Sequence, residues 1–454
     1  MDINQIKRMD IHAHSEYSNL RLIDSINKPK DLILTAYKLG LSGVTLTDHE
    51  TVSGHVVFLD AEKELKEKKI IPKDFKCACG NEIYLVNDRN NIERYWHFIL
   101  IAKNTEGHKA LRELSSIAWY NGFSSRGQFR VPTQKNELTE IVKKYPNSLI
   151  ATSSCLGGEL PNLVNKLIDA ENKCADNIYE LKQNIVDFIN YCKNLFNEDF
   201  YIEIAAATSK DQIRYNSRVI EIAKALNIKI VIGSDAHYLT SKEREVHKAY
   251  LNSKDGDREV DEFYYFAHLM DNNEAYEYLA SLITKDEFIN ICNNSMEIYN
   301  KIETYNIFRN PIIPEVQVKD YSKINYEMPG NQIVLKELFN SDNIQERYWV
   351  NECVNALRNK NLYNIEYLDR LETEAKVIKI IGEKLGDCLF KYFNTFQHFI
   401  DLFWDCGSIV GPGRGSAVCF LSNYLLGITQ LNPIKWDLKH WRFLNEERIE
   451  LPKL

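Results

Sequence analysis

Two histidine-bearing signatures bracket the first half of this chain, Asp10-Ile-His12-Ala-His14 and Gly233-Ser-Asp235-Ala-His237. Each follows or closes an apolar, strand-like run, and Asp24, His49, Glu82, His97 and Cys155 recur between them. Imidazole nitrogen, carboxylate oxygen and thiolate sulfur are the groups that hold zinc, manganese or iron. His-x-His on a strand sends both side chains to one face, because side chains alternate with period two. Asp48-His49, directly after Val44-Thr-Leu-Thr47, and Asp235-x-His237 repeat that logic from other strands. One such histidine alone would read as a core or surface residue. The nine ligand-type residues His12, His14, Asp24, His49, Glu82, His97, Cys155, Asp235 and His237 exceed the needs of one ion, so a multinuclear metal centre is expected.

Residues 9 to about 240 alternate short strand and helix patterns. Apolar runs predict strands at 9–12, 43–47, 82–86, 98–102, 148–153, 200–205 and 228–233. Helical periods fall at 30–39, 106–120, 138–144, 175–196 and 212–226. Seven such units favour a parallel sheet closed, or nearly closed, into a barrel. Functional groups gather at the carboxyl ends of barrel strands. Asp10, His12, His14, Asp48, His49, Cys155, Glu203, Asp235 and His237 all fall there. His97 precedes its apolar run, so either that strand runs the other way or its boundary lies elsewhere.

With 454 residues, the chain has material for two to four domains. A content of 44% hydrophobic and 26% charged residues is that of an ordinary globular protein. No apolar run reaches the length of a membrane span, and the N-terminus is broken up by Asp2, Lys7, Arg8 and Asp10. The ten scattered cysteines, without a secretory signal, point to reduced thiols and a cytoplasmic location. Cys77-Ala-Cys79 has no second cysteine pair at zinc-ribbon spacing and reads as structural. A net charge of −8 excludes a uniformly basic nucleic-acid coat but not a local basic groove.

Residues 241–305 read as helical and charged, and 309–332, with Pro311, Pro314 and Pro329, as a linker or extended wrap. Helices resume at 334–358, 366–385 and 395–404. Then comes Gly411-Pro-Gly-Arg-Gly-Ser416, between an expected short strand and a helix at 417–426. Unhindered backbone N–H groups at a helix N-terminus suit a triphosphate. No Lys-Ser/Thr closes the loop, so it is not a Walker A sequence.

His12-x-His14, Thr47-Asp48-His49, Gly80-Asn-Glu82, His97-Phe-Ile-Leu-Ile-Ala-Lys-Asn104, Ser154-Cys155-Leu-Gly-Gly-Glu159 and Asp235-x-His237 resemble the PHP (polymerase and histidinol phosphatase) domain. More narrowly, they resemble the version that heads bacterial DNA polymerase III alpha subunits, and Leu22-Ile-Asp24 is similar to a segment supplying a further ligand. The loop 411–417, Asn423-Tyr-Leu-Leu-Gly-Ile-Thr429, Asn432-Pro-Ile-Lys-Trp-Asp-Leu438 and Arg442-Phe-Leu-Asn-Glu-Glu-Arg448 look like the palm entry of C-family polymerases. Tyr367-Leu-Asp-Arg-Leu-Glu-Thr-Glu374 and 393–404 resemble the helices leading into it.

The resemblance implies an α/β fold: a distorted (β/α)7 PHP barrel at 1–245, a helical connector and linker at 246–333, and the first half of a polymerase-beta-like palm at 334–454. It implies that the nine residues are ligands of three clustered divalent metals (zinc, manganese or iron). It implies 3′-5′ exonuclease chemistry in the barrel, with Arg414, Gly415, Ser416 and Arg442 on the phosphates of an incoming nucleotide. Implied partners are DNA primer-template, dNTP, magnesium in the complete palm, the C-terminal remainder of the polymerase on the same or a separate chain, and a sliding clamp. Two departures stand out. Val418-Cys419 replaces the usual small residues. After Ser416 the carboxylates Asp437, Glu446, Glu447 and Glu450 do not form the family's Asp-x-Asp, so residues 1–454 alone are not expected to polymerise. The alternatives are a phosphatase of small phosphate esters and a non-catalytic scaffold half of a split polymerase.

Overall fold

A computed structural model describes residues 3–20, 23–125, 128–253, 262–309 and 312–447. Leu22, Pro311, Arg448, Glu450 and residues 451–454 lie outside them. The chain divides into two compact units, 1–308 and 309–454.

In the first unit the strands are β1 (Met9–Ala13), β2 (Gly43–Leu46), β3 (Lys76–Val86), β4 (Trp96–Ala102), β5 (Phe123–Ser125), β6 (Gln128–Arg130), β7 (Pro132–Gln134), β8 (Leu149–Thr152), β9 (Phe200–Ile204) and β10 (Ile230–Ile232). The main sheet runs β1-β2-β3-β4-β8-β9-β10, with β7 also paired to β3 and β5-β6 forming a separate hairpin. Beyond β10, Ala236 bridges to Ala13, and the His14 N–H donates to the Ala236 carbonyl at 3.0 Å. The sheet therefore curls into a nearly closed seven-stranded barrel.

All pairings on the barrel path are parallel except those of β4, which runs antiparallel to both β3 and β8. That resolves the position of His97: its strand runs the other way. Residues 87–95 between β3 and β4 are too few for the crossover of a dozen or more residues that a parallel connection needs.

Around the sheet lie α1 (Pro29–Lys38), α2 (His55–Glu67), α3 (Thr105–Tyr120), α4 (Lys135–Lys144), α5 (Glu159–Asn172), α6 (Ile178–Phe196) and α7 (Lys210–Ala225). Strand alternation sorts the core. Met9, Ile11, Ala78, Ile99, Ile101, Ile150, Tyr201 and Val231 cluster inside the barrel. Ile83, Leu85, Phe98 and Leu100 point outward beneath the helices. Helical periodicity in the sequence predicts neither α2 nor α5. Exposed Val56 and Val57 blur the helical period of α2. Pro161 disguises α5, although proline is tolerated in a first turn.

The stretch read as a connector contributes α8 (Arg244–Leu251), α9 (Asn272–Leu279) and α10 (Lys285–Lys301) to this same unit. Ile298 and Ile302 join the barrel-interior cluster, and the Met9 N–H donates to Ser295 Oγ at 3.1 Å. Buried Arg8 donates to the Met270 carbonyl at 2.6 Å and to Asn272 Oδ1 at 2.8 Å. These contacts complete the barrel's floor, which explains why the helices pack here.

In the second unit α11 (Ile333–Phe339), α12 (Ile344–Asn359), α13 (Ile365–Leu385), α14 (Phe390–Asp405) and the short α15 (Leu421–Leu425) enclose a core around Trp349, Phe390, Phe393 and Phe420. Residues 312–332 form no regular element apart from a bend. Among the described residues this unit has no strand. The short strand expected before Gly411 is irregular backbone, since no strand is there to pair with it, and Ile409 is exposed. The helix expected at 417–426 is instead a 3-10 turn, Gly415–Cys419, followed by α15. Buried Glu374 fixes that break: it accepts from the Leu421 and Ser422 N–H groups at 2.7 and 2.9 Å, so the helix starts only there. Among the described residues no helix is long and apolar enough to cross a membrane.

Candidate metal centre

The carboxyl ends of β1, β2, β8 and β10 and the amino end of antiparallel β4 open onto one end of the barrel. His12 sits in β1 and His14 just past it; His49 follows β2; Glu82 lies within β3; His97 begins β4; Cys155 follows β8; Asp235 and His237 follow β10. Asp24, between β1 and α1, completes the ring of side chains. Three of the exits pass through a left-handed residue: Glu50 (φ 59°), Ser154 (φ 62°) and Asp235 (φ 47°). Such conformations are costly for residues with a Cβ and persist where the surroundings over-determine them. Here they turn the chain so that its polar side chains face inward.

All nine residues come together. His12 Nε2 lies 3.1 Å from His14 Nε2, and Asp235 Oδ1 lies 3.2 and 3.0 Å from those two nitrogens. His49 faces Asp24 Oδ2 through Nε2 and Glu82 Oε2 through Nδ1, each at 2.6 Å. His237 Nε2 is 3.0 Å from the same Asp24 oxygen. Glu82 Oε1 is 2.9 Å from His97 Nδ1, and the Cys155 sulfur is 3.5 Å from that nitrogen. Three ligand-type groups thus share one pocket: His12-His14-Asp235, His14-His49-His237 and Glu82-His97-Cys155.

These side chains fit metal ions. Tetrahedral zinc with bonds of about 2.0–2.1 Å to nitrogen or oxygen sets its ligands roughly 3.3 Å apart. The His12-His14-Asp235 triangle, with edges of 3.0–3.2 Å, is close to that. Buried Asp235 Oδ1 and Glu82 Oε2 have imidazole nitrogens as their partners, His12 and His14 for the first and His49 for the second. Burying carboxylates is costly unless charge is matched, and a cation among them supplies that match.

The electrostatics point the same way. Burial opposes ionisation of Asp24, yet His237 and His49 hold its carboxyl well below the usual range. Burial likewise opposes charge on Glu82, which His97 and His49 outweigh. Burial, with His49 and His237 beside it, pushes His14 down to about 3, so its ring stays neutral with a lone pair to offer. His12 is held up by Asp235 and Glu203 against its own burial. Without metal, protons on the imidazoles stand in for cationic charge. Burial keeps the Cys155 thiol protonated until an ion displaces that proton.

Outside the nine, four more residues shape the site. Glu203 Oε1 accepts from His12 Nδ1 at 2.6 Å, which turns Nε2 toward the pocket. Tyr264 donates to Asp24 Oδ1 at 2.8 Å, and His247 Nε2 lies 2.6 Å from the Asp24 carbonyl. Asp48 does not face those nine residues. It accepts from the Ser15 N–H and the Ser18 hydroxyl at 2.6 and 2.8 Å and holds the β1 exit loop. A lone acid inside the apolar run 200–205 was a readable signal for Glu203; nothing in the spacing singled out Tyr264 or His247. Two glycines leave space that a side chain would fill. A Cβ at Gly157 would sit 2.8 Å from the His97 ring, and one at Gly233 2.6 Å from Glu203 Cδ.

The expected phosphate-binding residues lie in the second unit. Arg414, Gly415 and Ser416 are exposed, as is Arg442 in the 3-10 turn His440–Arg442. The 3-10 turn and short α15 that follow the loop do not provide the long helix N-terminus anticipated for a triphosphate.

Barrel and side-chain cluster together define an α/β barrel with a candidate metal pocket, and comparison with known proteins adds two family matches. Residues 10–207 match the PHP domain, and residues 335–454 match the bacterial DNA polymerase III alpha NTPase domain. The two matches fall in separate segments of the chain, the first within unit 1–308 and the second within unit 309–454. It is 36% identical over 98% of its length to a DNA-directed DNA polymerase of Bacillus phage SPbeta, covering 36% of that protein. It is 31% identical, over 98% of its length, to the DNA polymerase III subunit alpha of Campylobacter jejuni, covering 35% of it. For the same subunit of Borreliella burgdorferi the identity is 28%, over 97% of this chain and 34% of that one. The chain therefore spans about a third of the length of the curated relatives it matches.

Proposed function

We propose that the barrel is a metal-dependent phosphoesterase that removes nucleotides from the 3′ end of DNA, within a protein whose overall activity is template-directed DNA synthesis. The observation carrying this reading is the convergence of His12, His14, Asp24, His49, Glu82, His97, Cys155, Asp235 and His237 on one buried pocket. In this reading they hold three divalent ions, of zinc, manganese or iron. Such ions lower the pKa of a water and neutralise charge developing on phosphoryl oxygens. Glu203 fixes the tautomer and orientation of His12, while Tyr264 and His247 hold Asp24 in place.

A nucleic-acid substrate is favoured by the residues beside His97, whose side chain is the most accessible of the histidine ligands at 26% exposure. Next to it, Arg94 covers the Trp96 ring at 4.9 Å and Arg130 covers the Tyr95 ring at 5.1 Å. Aromatic faces paired with guanidinium groups suit unstacked bases and phosphates of a single strand. Protein loaded with zinc or manganese is expected to shorten a primer with a mismatched 3′ end, and Asp235→Asn to lower the rate at least ~100-fold. Arg130→Ala should raise KM for DNA and leave a small phosphate ester unaffected. Faster turnover of glycerophosphate than of DNA would favour the small-ester phosphatase instead. Loss-free primers with every metal would leave the barrel a scaffold.

Synthesis is assigned to the whole protein. Arg414, Gly415, Ser416 and Arg442 would contact the incoming nucleotide there, with magnesium held by an Asp-x-Asp pair of a kind not found after Ser416 in this sequence. Mixing the chain with a fragment bearing such a pair is expected to give primer extension.

A further inference from the structure

The outer side of the barrel wall carries a second group of metal-ligating side chains. Side chains alternate along β3. Ala78 joins the interior cluster, whereas Cys77 and Cys79 pack outward among Leu32, Phe58 and Leu65. Glu82, three residues beyond Cys79, belongs to the inner face. Cys79 therefore cannot serve the pocket that holds Glu82.

Fully buried Cys79 meets His55, the first residue of α2, and His108, in the first turns of α3. Ligand atoms of the three lie within 4.8 Å of one another. His55 Nδ1 is 3.2 Å from His108 Nε2, close to the roughly 3.3 Å that two nitrogens span on a tetrahedral zinc. His55 Nε2 faces the Gly80 carbonyl at 2.8 Å. A carbonyl only accepts, so the proton sits on Nε2 and the Nδ1 lone pair is aimed at the cluster, as in metal-bound histidines with a carbonyl behind them. Burial keeps both rings neutral, lowering His55 to about 3 and His108 to about 4. The buried Tyr305 hydroxyl adjoins the Cys79 thiol and shares a hydrogen bond with it.

We propose that His55, Cys79 and His108 form a separate zinc-class cation site that ties α2 and α3 to β3 on the outside of the barrel. Binding exchanges the Cys79 thiol proton for a sulfur–metal bond, and the Tyr305 hydroxyl lies beside the remaining coordination position. Two imidazoles and a thiolate select zinc over magnesium, calcium or manganese. The site does not depend on the phosphoesterase reading, because it shares no residue with the inner pocket.

Cobalt(II) is the probe, because its bond to thiolate gives a charge-transfer absorption. Cys155→Ser in this chain removes the inner thiolate. This variant is expected to show the absorption on adding cobalt, to lose it on adding Cys79→Ser, and to melt at a higher temperature with zinc than without. His55→Gln in the Cys155→Ser background should weaken zinc binding at least tenfold while leaving the circular dichroism unchanged, which covers the case that Cys79→Ser misfolds. A folded Cys155→Ser protein without the absorption overturns the proposal. So does an absorption that survives either second substitution unaltered; a hydrogen bond between the two histidines would then account for the cluster.

Discussion

Orientation of single rings decides whether the inner pocket can hold its ions. Glu203 fixes His12 through a 2.6 Å contact, and partners of this kind typically account for 10–100-fold in metal affinity. Glu203→Gln is therefore expected to lower affinity by about that factor, read by competition with a chelator, with little change in fold. A second residue-scale expectation concerns acid. His55 and His108 titrate in the fold at about 3 and about 4, below the roughly 6.5 of an unfolded histidine. Between those values the unfolded chain binds more protons, so stability rises with pH across that window and falls as pH drops from about 6.5 toward 4. Urea midpoints of metal-free protein should show that slope, and His55→Gln should flatten it.

Elements place those residues, chiefly by how each strand ends. The left-handed exits at Glu50, Ser154 and Asp235 bring side chains from β2, β8 and β10 to one point. Gly233, where β10 leaves the barrel, must lack a Cβ because Glu203 and His12 crowd it. Gly233→Ala is expected to cost about 1–3 kcal/mol through overpacking and to reduce bound metal per chain by displacing Glu203. Thermal melts with and without metal, together with elemental analysis, separate the two effects. The reversed direction of β4 matters equally: a parallel β4 would carry His97 to the far end of the barrel. In the second unit Glu374 on α13 performs comparable local work by starting α15.

At the scale of the molecule, each compact unit has its own apolar core. Two unfolding transitions are therefore expected, and a chelator should lower only the one belonging to residues 1–308, because ligands stabilise the unit that binds them. Trp349→Ala, which empties a fully buried position, should lower the other by about 3–5 kcal/mol. Calorimetry of the parent chain and Trp349→Ala, each with and without zinc, distinguishes these assignments.

The sequence determined what is encoded locally. Period-two runs ending in His-x-His and Asp-x-His marked the strands and the ends where these side chains gather, and all nine residues meet in the pocket. Gly411-Pro-Gly-Arg-Gly-Ser416 marked a loop, though not the helix expected after it. Long-range closure decided the rest. Glu203 reaches His12 across 191 positions, and Tyr264 reaches Asp24 across 240. The meeting of His55, Cys79 and His108 likewise depends on two helices folding over one strand. Periodicity records which face a residue occupies, but which faces come together is set only when the barrel shuts and the outer helices pack against it.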